Sequence, residues 1–249
     1  MKINRSIDRS IKVLELLSQS SKGLTLVEIQ KILDIPKSSA FDILQTLLSA
    51  NMIMPNHFDS KRYVIGIKSF IIGNAYESDF IKVSRPHIKK LAQELGKTVF
   101  LGVEKDGKVI YIDKYEPKST IITTAVLGTR NPVYCTALGK AIMSTYSKDD
   151  VIEILKSSKM SPLTKFTITN ISEYIKDLEK VKEKGYSVDN REMEERMLCV
   201  AAPIYDATGN IVGAISASGL YDEEENIEIN GTKVKETAYL ISRDLGYRS

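Results

Sequence analysis

Apolar positions in the first fifty residues recur at helical spacing. Ile7, Ile11, Leu14 and Leu17 follow one another at steps of four, three and three, which predicts one apolar face on a helix over 6–18. The stretch SSKGLT predicts a loop. Thr25 with Glu28 three residues on fits a capping box, and Leu26, Ile29 and Leu33 supply the inner side of a second helix. Asp34-Ile35-Pro36 ends it, because proline disfavours helical geometry in the residue before it. A third helix over about 37–49 is expected to bury Ala40, Phe41, Leu44, Leu47 and Leu48. Met52–Met54 and Tyr63–Ile65 read as short strands around the polar hairpin NHFDSKR.

After a helical connector over 67–80 and a helix from Val83 to Leu95 stopped by Gly96, the periodicity changes. Thr98–Val103 and Val109–Tyr115 alternate as strands about the turn Lys105-Asp106-Gly107-Lys108, and Thr120–Val126 is expected as a third strand. Helices are predicted at about 137–146, 149–156 and 171–184, with strands at 186–189, 198–205 and 211–218 and a long helix after Glu224. The expected division is a winged helix-turn-helix over 1–66, a linker helix over 67–80 and an α+β unit over 81–249.

Charge adds a direction to this division. Residues 1–70 hold ten Lys/Arg against six Asp/Glu, whereas the remainder is near neutral. A basic end suits an anionic partner. At the tip of the third helix Lys37 can reach a phosphate, and Ser38 and Ser39 can bond phosphates or base edges, with Gln45 further along the helix. His57, Lys61 and Arg62 in the hairpin can hold the adjacent backbone or minor groove. The alternative is that the serines only cap the helix and the hairpin charges are solvated. No apolar run reaches membrane-spanning length and no secretion signal is visible, so a cytoplasmic protein with its two cysteines reduced is expected.

Catalytic and metal chemistry find little support. The only histidines are His57 and His87, and neither forms a Cys–His or Ser–His–Asp pattern. Gly139-Lys140 fails as a P-loop, since Tyr134 stands at the earlier glycine position and Ala141 replaces the hydroxyl residue. No cofactor or metal is implied. Three segments suggest a small-molecule site instead. In YCTALGK the N–H groups of Ala137, Leu138 and Gly139 open a helix and can receive a carboxylate, with Thr136 a further hydroxyl or simply the cap. DNREMEE places Asp189 and Glu192 after a strand, as site residues or as a solvated loop. AISASG turns Ser216 and Ser218 to one face, where a ligand or a packed helix can sit. Cys199, in the apolar strand MLCVAAPIY, reads as a buried small side chain, a ligand contact, or a nucleophile.

The blocks VLELLSQSSKGLTLVEIQKILDIPKSSAFDILQTLLSANMI, KRYVIGIKSFIIG, PVYCTALGKAIM and GYSVDNREMEERMLCVAAPIYDATGNIVGAISASG resemble IclR-type transcriptional regulators over nearly the whole chain. The resemblance implies a GAF-like effector domain, a homodimer or homotetramer, and binding to a DNA operator, palindromic if two-fold symmetric, modulated by a small organic acid. Two positions depart from the family pattern. Asp42 stands where arginine is common, and Arg196-Met197-Leu198 replaces a segment that usually begins with glycine. Arg196 either enters the pocket or pairs on the surface with Glu192 or Glu195; the surface pairing is the preferred expectation. The alternatives are an enzyme using Cys199 and a DNA-binding protein without a ligand.

Overall fold

The computed structural model describes residues 3–75, 78–118 and 125–248. Two compact units divide the chain, Met1–Glu77 and Ser78–Ser249. In the first, α1 (Arg5–Ser18), α2 (Leu26–Leu33) and α3 (Lys37–Ser49) surround a core of Val13, Leu17, Ile29, Ala40, Ile43, Leu44 and Leu47. Thr25 and Glu28 complete the expected capping box at α2. Asp34 ends α2 in the left-handed region (φ 48°), and Pro36 starts α3, so the chain turns within two residues. The strands β1 (Leu24–Thr25), β2 (Ile53–Pro55) and β3 (Arg62–Ile65) form an antiparallel sheet in the order β1-β3-β2, with β2 and β3 making the wing.

Two periodicity readings are corrected here. On α3 the buried stripe is Ala40, Ile43, Leu44 and Leu47, and Phe41 is exposed, because residue 41 lies about 100° around the helix from Ala40. On α1 only Val13 and Leu17 are buried; Ile7 and Ile11 are 60% and 52% exposed. The connector helix α4 is shorter than expected, Ile67–Asn74, and is fastened to the wing unit by Ser69 Oγ donating to Met52 O at 2.8 Å.

The second unit is built on six antiparallel strands in the order β6-β5-β4-β9-β8-β7. They are β4 (Thr98–Lys105), β5 (Lys108–Tyr115), β6 (Arg130–Pro132), β7 (Ser187–Asn190), β8 (Met197–Tyr205) and β9 (Ile211–Leu220). Alternation sorts their side chains. Val99, Leu101, Val200, Ala202, Ile215 and Ala217 share a core with residues of α5 (Asp79–Leu95) and α9 (Ile227–Asp244). Phe100, Ala201 and Ala214 pack on the other side with α6 (Ala137–Met143), α7 (Lys148–Ser157) and α8 (Ile171–Lys184). The fold is α+β, as expected from the pattern. Helix α5 begins at Asp79 rather than Val83, capped by Ser78 Oγ, and continues through Pro86. The strand expected over 120–126 falls largely on residues outside those described; the short β6 was not foreseen.

Candidate ligand cavity and nucleic-acid interface

Helix α3 starts without a side-chain cap. Ser38 and Ser39 therefore do not serve as caps, and among the described residues neither hydroxyl has a hydrogen-bond partner. Lys37, Ser38, Asp42 and Gln45 are exposed and Ser39 is half-buried. Ser38, Phe41, Asp42 and Gln45 fall within one turn-to-turn stripe of the helix surface. The wing is stiffened from within. Asn56 Oδ1 accepts from Phe58 N at 2.8 Å, and Asn56 Nδ2 donates to Lys22 O at 3.1 Å. His57, Phe58 and Lys61 project from it exposed. Arg62 is placed differently from the sequence expectation. Its guanidinium spans Glu28 in two hydrogen bonds of 3.0 and 3.1 Å and donates to Gly23 O at 2.9 Å, tying the wing to α2. Bonds from Thr25, with Arg62 adding, hold the Glu28 carboxyl below its usual range.

In the second unit a cavity of about 550 Å³ opens between the sheet and α6. Thr136, Ala137 and Leu138 form one wall, Asp189 and Cys199 another, and Ser216 and Ser218 lie on β9 between Phe100 and the rim. Register explains the cluster: Asp189 pairs with Cys199, which pairs with Ser218, so three neighbouring strands present them side by side. Sequence reading missed Tyr111, Asn131 and Lys97, which also line the cavity. Asn131 Nδ2 donates to Tyr111 Oη at 3.1 Å, and burial pushes the phenol up to about 12.

The expected residues are not all equivalent. The Thr136 hydroxyl accepts from Gly139 N at 3.1 Å and donates to Pro132 O at 3.1 Å, so it is the helix cap. That bond also occupies the Gly139 N–H. Glycine is required there because a Cβ would lie 2.2 Å from Val133 O. Ala137 and Leu138 keep N–H groups without an acceptor among the described residues. Glu192 does not line the cavity. It is buried behind the wall in an ion pair with Lys140, whose ammonium also meets Asp177 Oδ2 at 2.8 Å and Val188 O at 3.2 Å. Lys140 is 1% exposed; burial opposes its charge, but the Glu192 and Asp177 carboxylates outweigh it and keep the ammonium protonated. A lone lysine in the apolar run ALGKAIM was the available signal for this cluster.

Asp189 Oδ1 accepts from Glu192 N at 2.7 Å and Met193 N at 3.3 Å, and burial raises its carboxyl to about 7. Burial also pushes the Cys199 thiol up, away from the thiolate a nucleophile needs. No histidine lines the cavity, and His87 is engaged with Asp244 Oδ2 at 2.8 Å. Arg196 is exposed at the cavity rim, and among the described residues it pairs with neither Glu192 nor Glu195, the surface partners expected for it. Among the described residues no group of three or more His, Cys, Asp or Glu side chains is arranged to hold a metal, and no helix is long and apolar enough to cross a membrane.

Both units match known protein families. Residues 6–53 match the IclR helix-turn-helix domain, and residues 74–243 match the bacterial transcriptional regulator IclR C-terminal domain. The HTH-type transcriptional repressor AllR of Escherichia coli strain K12 is 30% identical over 98% of this chain and 92% of its own. The crystal structure of the Thermotoga maritima IclR is 30% identical, with TM-score 0.72 over 98% of this chain and 99% of that one. An IclR homolog from Microbacterium hydrocarbonoxydans, solved with 4-hydroxybenzoate, is similar in fold at TM-score 0.81 and 18% identity, covering 96% and 98% of the two chains. Two family matches in tandem and full-length likeness to a repressor place the chain in the IclR family of DNA-binding transcriptional regulators.

Proposed function

We propose that a small organic acid binds the cavity of the C-terminal unit and changes the affinity of the N-terminal unit for its operator. The observation that carries this reading is the cavity itself. At about 550 Å³ it lies within the range of small-molecule sites. It gathers two N–H groups at the start of α6, two serine hydroxyls, a thiol and a carboxyl with one uncommitted oxygen. An acid there receives its carboxylate from Ala137 and Leu138 and turns hydroxyl or carbonyl groups toward Asp189, Cys199, Ser216 and Ser218. Regulation requires that the acid bind two conformations unequally, and the segment 67–80 joining domains 1–66 and 81–249 is the coupling element we favour.

On DNA, Lys37, Ser38, Ser39 and Gln45 enter the major groove while His57 and Lys61 hold the flanking backbone. Arg62 supports the wing rather than contacting phosphate, and Asp42 disfavours close approach at its own position. The exposed Ile7 and Ile11, four residues apart on α1, with exposed Ile3 just before the helix, support a second copy of the chain as partner, hence a homodimer or homotetramer and a palindromic operator. The names of its relatives favour a repressor, and work on DNA favours the cytoplasm. The raised Cys199 thiol speaks against the enzyme reading.

The test is a thermal-shift screen of carboxylic acids, followed by calorimetry of any that stabilise the protein. Binding that disappears when Ser218→Leu fills the cavity supports the assignment. Stabilisation of that variant equal to wild type puts the site elsewhere.

A further inference from the structure

The sheet register gives the cavity a long axis. On β9, Ser216, Ser218 and Leu220 face the cavity in succession, opposite Ala201, Cys199 and Met197 of β8. From Ser216 to Leu220 is about 13 Å, at roughly 3.3 Å per residue. The rim lies at the Leu220 end, and there the strands on both sides of β9 begin with a cation.

Lys97 immediately precedes β4. Its ammonium, 2.8 Å from Glu225 Oε2, is mostly buried and fixed. It crosses β9 at Gly219, where a Cβ would stand 2.6 Å from Nζ. Arg196 immediately precedes β8 and is held by its carbonyl accepting from Tyr221 N at 2.7 Å. Its guanidinium has no ion pair or hydrogen bond among the described residues. Glu194 also lines the rim; it and Arg196 are both exposed, so water weakens both charges, and the Arg196 fork must outcompete a neighbouring carboxylate.

We propose that Arg196, with Lys97 behind it, forms a second anionic subsite at the rim, so that the effector carries anionic groups at both ends. The proposal rests on the reading of the cavity as the effector site. A short monocarboxylate held at the inner end of the cavity, beside the buried Ser216, leaves the distal part of a 550 Å³ cavity to water and the guanidinium without an acceptor. An acid with a second carboxylate spans from Ser216 to the rim. Its uncharged middle then passes Asp189, Cys199 and Ser218, so no carboxylate faces the Asp189 oxygen. Arginine suits the task, because its planar fork takes a carboxylate in two parallel hydrogen bonds.

Calorimetry on the full-length protein tests this with dicarboxylates from malonate to suberate, each beside the monocarboxylate of equal carbon number. The expected result is that the best dicarboxylate binds about three- to fivefold more tightly than its monocarboxylate match, the advantage of one bidentate pair open to water. Arg196→Ala is expected to erase that advantage while leaving monocarboxylate affinity within about twofold, and Arg196→Lys to restore part of it. Because Arg196 is exposed, both variants should melt with the wild type in the absence of ligand. Equal binding of mono- and dicarboxylates, or equal weakening of both by Arg196→Ala, overturns the second subsite and leaves the cavity reading standing. Binding of no acid in either series overturns both.

Discussion

Replacing Thr136 by valine tests how α6 is held at the cavity wall. The substitution keeps the shape and removes one hydroxyl. That hydroxyl caps α6 through Gly139 N and donates to Pro132 O, both at 3.1 Å in a buried setting. Loss of an N-cap costs about 1 kcal/mol. Leaving a buried N–H and carbonyl unpaired adds about 1–3 kcal/mol, partly the same free energy counted from the partner's side. A total of about 2–3 kcal/mol follows. For a unit of this size each kcal/mol lowers the melting temperature by roughly 2–4 °C, so a fall of about 4–12 °C is expected for the transition of the C-terminal unit. Thr136→Ser keeps both bonds and should lose less than about 1 kcal/mol. Scanning calorimetry of the three proteins without ligand decides the matter. If Thr136→Val melts with the wild type, the hydroxyl is not the cap and faces the cavity instead.

Further outcomes follow from the same contacts. Lys37→Ala and Lys61→Ala should each weaken binding to any duplex and flatten the log–log salt dependence by roughly 0.9. Arg62→Ala should weaken binding without that change of slope, because its guanidinium is spent on Glu28 and Gly23; filter binding across a salt series reads the difference. Asp189 keeps its proton to about pH 7 in the folded protein and loses it near 4 when unfolded, so in between it makes the folded state bind the extra proton and its contribution to stability falls as pH rises. Asp189→Asn, whose amide oxygen can still accept from Glu192 N, should flatten the profile relative to wild type while the raised Glu192 keeps its own share, as followed by denaturant titration from pH 4 to 8. Iodoacetamide should modify native Cys199 slowly, since burial raises its thiol, and peptide mapping that finds rapid labelling would contradict the packing described.

The parts legible in the sequence were those set by short-range chemistry. Thr25 and Glu28 marked a helix start, Pro36 a turn, and Gly96 and Gly185 helix ends, because each acts on its own few neighbours. Strand alternation likewise put Ser216 and Ser218 on one face. What depended on distant partners was not legible. Arg62 carries the same charge as Lys61, and only the fold brings Glu28 to it from 34 residues away. Glu192 looked like a site residue until Lys140, 52 residues back in the chain, claimed it. Ile7 and Ile11 satisfied a helical period yet face outward, since a period gives a stripe but not what covers it. Tyr111 and Asn131 entered the cavity from strands whose inner face was not evident from their mixed composition.

In the proposed function, occupancy of the cavity is felt at the DNA. Fluorescence anisotropy with a duplex selected from a random pool by the wild-type protein measures this most directly, with and without the acid that binds best. The wild type should change its DNA affinity by about 5–150-fold when that acid saturates it, the span of ordinary allosteric coupling. The cavity-filling Ser218→Leu should bind the same duplex and ignore the acid. An acid that binds the wild type without altering DNA affinity, or that shifts Ser218→Leu equally, would contradict the claim.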